Sequence, residues 1–153
     1  MNLSPSWGAT LPNKALRILI ADEEHFHRMK VERLCNQLDY YRVAPSQSLA
    51  ELLTLVEYGC EPFDLVVINA SLADGDLDLL AFFLDNPQVR HTLIYNGDYG
   101  QSLPIPAGLR QKVQVSHEAL PDLATLERLM MLIDPSVPDD QPWLTSIYKQ
   151  KLG

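Results

Sequence analysis

Basic charge is scarce in this chain. Twelve Lys and Arg stand against 20 Asp and Glu, for a net charge of −8. Nucleic-acid affinity rests largely on clustered cations, and anionic lipid surfaces attract the same kind of segment. The balance excludes nucleic acids and membrane surfaces as expected partners. Cysteine is as sparse. Cys35 and Cys60 have the spacing of neither a zinc site nor a disulfide framework, so each is expected as a plain buried or half-buried thiol. No apolar run approaches the roughly 20 residues of a membrane span. The opening MNLSPSWGATLPNK lacks the apolar core of a signal peptide, and a cytoplasmic location is expected. Gly75, Gly97 and Gly100 fit neither dinucleotide nor phosphate-loop spacing. No serine sits in a nucleophile elbow. The chain is therefore expected to be no enzyme and to carry no cofactor.

What is present suits one domain: 153 residues, 46% hydrophobic and 21% charged. Residues 1–14, with two Pro and one Gly, read as a flexible arm that Trp7 could pin. Leu16 to Ala21 is an apolar run ending in Asp22-Glu23-Glu24, a buried strand with an acidic carboxyl end. Val31, Leu34, Cys35 and Leu38 recur at i, i+3, i+4 and i+7, a helical face. Tyr41 to Ala44 is a weaker strand closed by Pro45. Ser48 and Glu51 form a capping box before a helix with Leu49, Leu52, Leu53 and Val56, which Gly59 is placed to end.

Phe63 to Ile68 is the third strand. Asp76 is the expected cap of a helix carrying Leu79, Leu80, Phe83 and Leu84 and stopped at Asp85-Asn86-Pro87. Thr92 to Tyr95 and Lys112 to Val115 are the fourth and fifth strands. Between them Gly97, Gly100, Pro104, Pro106 and Gly108 cannot sustain a regular helix. Asp122 to Ile133 is the last helix of a domain covering 15–133. Residues 134–153 form a Pro-rich tail with a possible short helix, where Trp143, Leu144, Ile147 and Tyr148 make an apolar stripe.

Strands alternate with helices and no hairpin signal appears, so the class is α/β with a parallel sheet buried on both faces. Function in such folds gathers outside the carboxyl ends of the strands. Those ends carry Asp22, Glu23 and Glu24, then Asn69, Asn96, and Ser116 or His117. Asp22, Glu23 and Glu24 read as a solvated acidic rim, and some of these carboxyls are expected to titrate high through mutual repulsion. His25 and His27, two apart at a helical start, point in different directions, and a zinc site with His117 is not expected.

The blocks LRILIADEE, FDLVVINASLADGDLDLL and ATLERLMMLI, in this order and spacing, resemble the receiver domain of bacterial two-component response regulators, over roughly residues 15–133. The resemblance implies a flavodoxin-like, CheY-like five-stranded sheet of order 2-1-3-4-5 with helices on both faces, the fourth helix here shortened or replaced by a loop. It also implies aspartyl phosphorylation supported by Mg²⁺, a Thr or Ser on strand four and a Lys on strand five. The acidic pair matches at Asp22 and Glu23, weak candidates for a metal. The phosphoacceptor position is Asn69, the Thr/Ser position is Asn96, and the Lys position falls at Ser116 or His117. The aromatic of strand five is absent.

A carboxamide does not form an acyl phosphate, a neutral oxygen is a poor Mg²⁺ ligand, and the cation that would stabilise the phosphoryl group is gone. The expected function is that of a phosphorylation-independent pseudo-receiver. It would signal through a protein partner (a kinase, regulator or output protein) or through self-association. Its expected surface holds Leu103, Ile105, Trp143, Ile147 and Tyr148. The alternative is a small-molecule sensor using the crevice at the carboxyl ends of the strands.

Overall fold

A computed structural model describes residues 15–73, 78–97 and 112–134. Five parallel strands form one sheet: β1 (Ile18–Ala21), β2 (Val43–Ser46), β3 (Leu65–Asn69), β4 (Thr92–Tyr95) and β5 (Val113–Val115). Their spatial order is β2-β1-β3-β4-β5 and every pairing is parallel, the flavodoxin-like arrangement. The helices are α1 (His25–Gln37), α2 (Leu49–Tyr58), α3 (Leu79–Asp85) and α4 (Leu123–Ile133), with a 3₁₀ turn over Ala70–Leu72.

Strand alternation divides the core into two layers. Ile18, Ile20, Leu65, Val67, Leu93 and Tyr95 pack with Val31 and Cys35 of α1 and with Leu126, Leu129 and Met130 of α4. Leu19, Ala21, Val66, Ile68 and Ile94 face the other way, against Leu52 and Val56 of α2 and Leu79 and Phe83 of α3. Helices thus cover both faces. β1, β3 and β4 are buried along their whole length, which is why they read as apolar runs without alternation.

Several local details differ from the sequence reading. Pro45 lies inside β2 and does not close it. Ile18 N–H and Asp22 N–H bond to Arg42 and Ser46 carbonyls, so the even-numbered residues of β2 face β1. The missing N–H of Pro45 then falls on the free edge, where it costs no ladder bond. Gly59 follows α2 in an extended conformation (φ −68°). A Cβ there would lie 2.8 Å from the Leu55 carbonyl oxygen, so close approach, and not a left-handed turn, calls for glycine. The cap of α3 is Asp78, whose carboxylate accepts from Ala81 N–H, and not Asp76. At the expected capping box the Ser48 hydroxyl accepts from Glu51 N–H, while the Glu51 carboxylate reaches one residue further back and accepts from Gln47 N–H in place of Ser48 N–H.

Cys35 is buried and Cys60 is exposed. Burial pushes the Cys35 thiol up to about 12, as befits an inert packing residue. Among the described residues no helix is long and apolar enough to cross a membrane. The arm with Trp7, Asp74 to Leu77, the 98–111 segment with Leu103 and Ile105, and the tail with Trp143, Ile147 and Tyr148 lie outside the described residues.

A closed carboxylate site at the carboxyl end of the sheet

Register brings the rim residues together. Ala21 is paired with Ile68, and Asn69 with Tyr95. Asp22, Asn69 and Tyr95 share strand parity, so their side chains leave the sheet on the α1 and α4 side at one level. Helix α1 begins directly after this point and roofs it.

Asp22 is fully buried and its carboxylate is surrounded by donors. Oδ2 accepts from Tyr95 Oη–H at 2.5 Å and from Asn69 Nδ2 at 3.0 Å. His27 Nδ1 is 3.0 Å from the same oxygen. Two acceptors cannot face each other at that distance, so Nδ1 carries the proton. Oδ1 accepts from Glu24 N–H at 2.9 Å, the N-cap residue of α1, whose own side chain makes no cap bond. Arg28 holds the Asp22 main-chain carbonyl at 2.6 Å. Burial pushes the Asp22 carboxyl up, but the bonds from Tyr95, Glu24, Asn69 and His27 outweigh it and hold the group below its ordinary range. Burial and the adjoining carboxylate push the Tyr95 phenol well above its usual value, so it stays a donor at any physiological pH.

Asn69 is committed at both ends of its amide. Nδ2 donates to Asp22, while Oδ1 accepts from Ser71 N–H at 2.9 Å and from Asn96 Nδ2 at 3.1 Å. An aspartate here would set one carboxylate against another at 3.0 Å. Asn96 is exposed and left-handed, with φ 57°, a conformation that Asn tolerates better than most residues. The backbone bonds of Asn96 to Glu118 O and of Gly97 to Ser116 O then zip β4 to the segment after β5.

The structure therefore joins Asp22, Asn69 and Asn96 directly, and adds Tyr95 and His27, which the sequence reading missed. Alternation was a usable signal for Tyr95, since a phenol at the end of a buried strand needs a partner for its hydroxyl. His27 had none, because its aim depends on where α1 starts. Glu23 and Glu24 are exposed, as a solvated rim requires, but Asp22 is not, and its carboxyl is lowered and not raised. Ser116 Oγ accepts from Glu118 N–H, and His117 Nδ1 lies 2.6 Å from the Gly97 carbonyl. The Ser116 hydroxyl is thus occupied by the turn after β5, and the His117 ring by the segment after β4. Lys112 sits at the opposite end of that strand, its ammonium 3.2 Å from Asn86 O.

Mg²⁺ requires free anionic oxygens. Here both Asp22 oxygens are filled and an amide N–H₂ group faces them, so the residues present do not fit the ion. Among the described residues no group of three or more His, Cys, Asp or Glu is placed to hold a metal. A scan against protein-family models and a search of curated proteins both return no match for the chain.

Proposed function

We propose that this chain is a degenerate receiver domain, a cytoplasmic signalling adaptor that works without phosphorylation and without catalysis. It acts by binding a protein partner of a two-component pathway or a second copy of itself. The observation that carries this reading is the closed state of Asp22, a buried carboxylate with both oxygens occupied and an amide where a nucleophile would stand. A phosphoryl group arriving at this rim would meet an amide, Asn69, at the phosphoacceptor position and no lysine to neutralise it. The same bonds tie β1, β3, β4 and α1 into one unit, and that rigidity suits a scaffold that presents surfaces.

The test is incubation of the purified protein with Mg²⁺ and radiolabelled acetyl phosphate. No hydroxylamine-sensitive label is expected on the wild type. Stable labelling near one phosphoryl per chain would overturn the proposal.

A further inference from the structure

We propose that the protein self-associates head to tail, with the outer face of α1 in one copy seated on α3 of the next. On α1, Phe26, Met29, Lys30 and Arg33 fall at i, i+3, i+4 and i+7 and all four are exposed, Phe26 to 57% and Met29 to 36%. They form one stripe opposite the face that packs on the sheet. The Lys30 ammonium rests 4.8 Å from the centre of the Phe26 ring. Among the described residues neither Lys30 nor Arg33 has a carboxylate partner. An apolar face with two unneutralised cations is unusual on a chain of net charge −8.

The complement lies on the same chain. The outer side of α3 borders an open cavity of ≈ 570 Å³ lined by Asp78, Ala81, Phe82, Asp85, Asn86 and Pro87. Asp78, Ala81, Phe82 and Asp85 repeat the i, i+3, i+4, i+7 spacing of the α1 stripe, with acids at the ends and apolar groups between them. Neither aspartate is ion-paired among the described residues. Asp78 is partly engaged in capping Ala81 N–H, and Lys112 at the far end is held by the Asn86 carbonyl. Asp85 is exposed.

Because α1 and α3 lie on opposite faces of the sheet, the two surfaces cannot meet within one molecule, and a two-fold pairing does not bring them together. The contact is heterologous, so it propagates into a ring or a chain of copies. Of the two acids, Asp78 is engaged by Ala81 N–H and Asp85 is not, so Asp85 of the neighbour is directed to Lys30 and Arg33, with Phe26 and Met29 against Phe82 and the capping Asp78 left at the amino end of the α1 stripe. A second copy is the occupant argued for because both halves of the complement are on this chain. An unrelated acidic partner for α1 alone would leave the α3 match without a role.

The test is sedimentation of the full chain over a concentration series. At roughly 0.02 M salt the weight-average mass should climb to about twice the monomer or beyond, and at about 0.5 M salt it should fall to the monomer, because screening shortens the reach of exposed charges. Lys30→Glu/Arg33→Glu and Ala81→Lys/Asp85→Lys should each be monomeric alone, since like charges then meet. An equimolar mixture of the two should associate again, through alternating contacts. This recovery separates a lost contact from a lost fold. A wild type that stays monomeric at low salt, association that survives either double variant, or a mixture that stays monomeric would each overturn the proposal.

Discussion

Each end of the sheet buries a carboxylate against a tyrosine hydroxyl on the same helical layer. At the carboxyl end Tyr95 donates to Asp22, and at the amino end Tyr40 donates to Asp134, both at 2.5 Å. All four residues are buried. The surroundings set the two pairs apart. Asp134 closes α4, and the Tyr40 bond ties that end to the end of α1, where Asp39 N–H and Tyr40 N–H return to the Asn36 and Cys35 carbonyls. This is a seam between two helices. Asp22, at the end of β1, joins side chains from β3, β4 and α1, and besides the phenol its side-chain neighbours are an amide and an imidazole. The same chemical pair fastens helices at one end and fills a potential active site at the other. Burial of an acid alone says little about function; what decides is the residues its oxygens are spent on.

Asn69→Asp should break the contrast most strongly. A second carboxylate 3.0 Å from Asp22 takes the place of a donor, and a buried pair left uncompensated typically costs about 3–5 kcal/mol. Denaturant melts should register the loss, with partial recovery at acidic pH as the two carboxyls share a proton. The variant should still fail to take up phosphate as an ordinary receiver would, because no lysine stands at position 116 or 117.

Next in size are the two tyrosines. Tyr95→Phe and Tyr40→Phe each remove a hydroxyl from a buried acid and should cost about 1–3 kcal/mol by chemical denaturation. For the Tyr95 pair a pH dependence follows as well. The Asp22 carboxyl is lower in the folded protein than its unfolded value of 3.8. Its contribution is therefore full above that value and is lost as pH falls through the folded one. Tyr95 is the largest of the bonds holding it down, so Tyr95→Phe should flatten the acid limb of the stability profile. An unchanged limb would mean that Asp22 does not govern it.

Thr92 provides a control whose side-chain hydroxyl has no partner among the described residues. That hydroxyl is buried at the start of β4. Thr92→Val should raise stability by about 1 kcal/mol, since it removes an unsatisfied polar group at constant shape. The smallest effect concerns the turn before Tyr40. Asp39 adopts φ 71°, and Asp39→Gly should stabilise by about 0.5–1 kcal/mol, less whatever the exposed bond from Tyr41 Oη to Asp39 contributes. A melt that falls would show that the Tyr41 bond outweighs the backbone strain.

The alternation of strands and helices and the burial of both sheet faces were legible because β1 and β3 are apolar throughout and because Val31, Cys35, Leu52, Val56, Leu126 and Met130 keep helical spacing, whereas the strand order 2-1-3-4-5 was only what the resemblance to receiver domains implied. Strand ends were legible to within a residue or two. The cap of α3 was misplaced because Asp76 and Asp78 are chemically equivalent on paper, and only the path of the chain selects between them. The site was half legible. Asn69 and Asn96 stood out as amides at strand ends, and Asp22 as an acid at another. That Asp22 turns inward, and that Tyr95 and His27 close on it, depends on register between β1, β3 and β4 and on the start of α1. A single sequence does not state those long-range relations.

The most direct test of the closed site is a Mg²⁺ titration followed at the Asn69 side-chain amide by NMR. With Asp22 filled by its four donors, the amide resonances should stay in place up to low millimolar ion, beyond a small linear drift from ionic strength. A saturable shift with a sub-millimolar midpoint would contradict the account, because it would mean that the Asp22 carboxylate releases its partners to hold a metal.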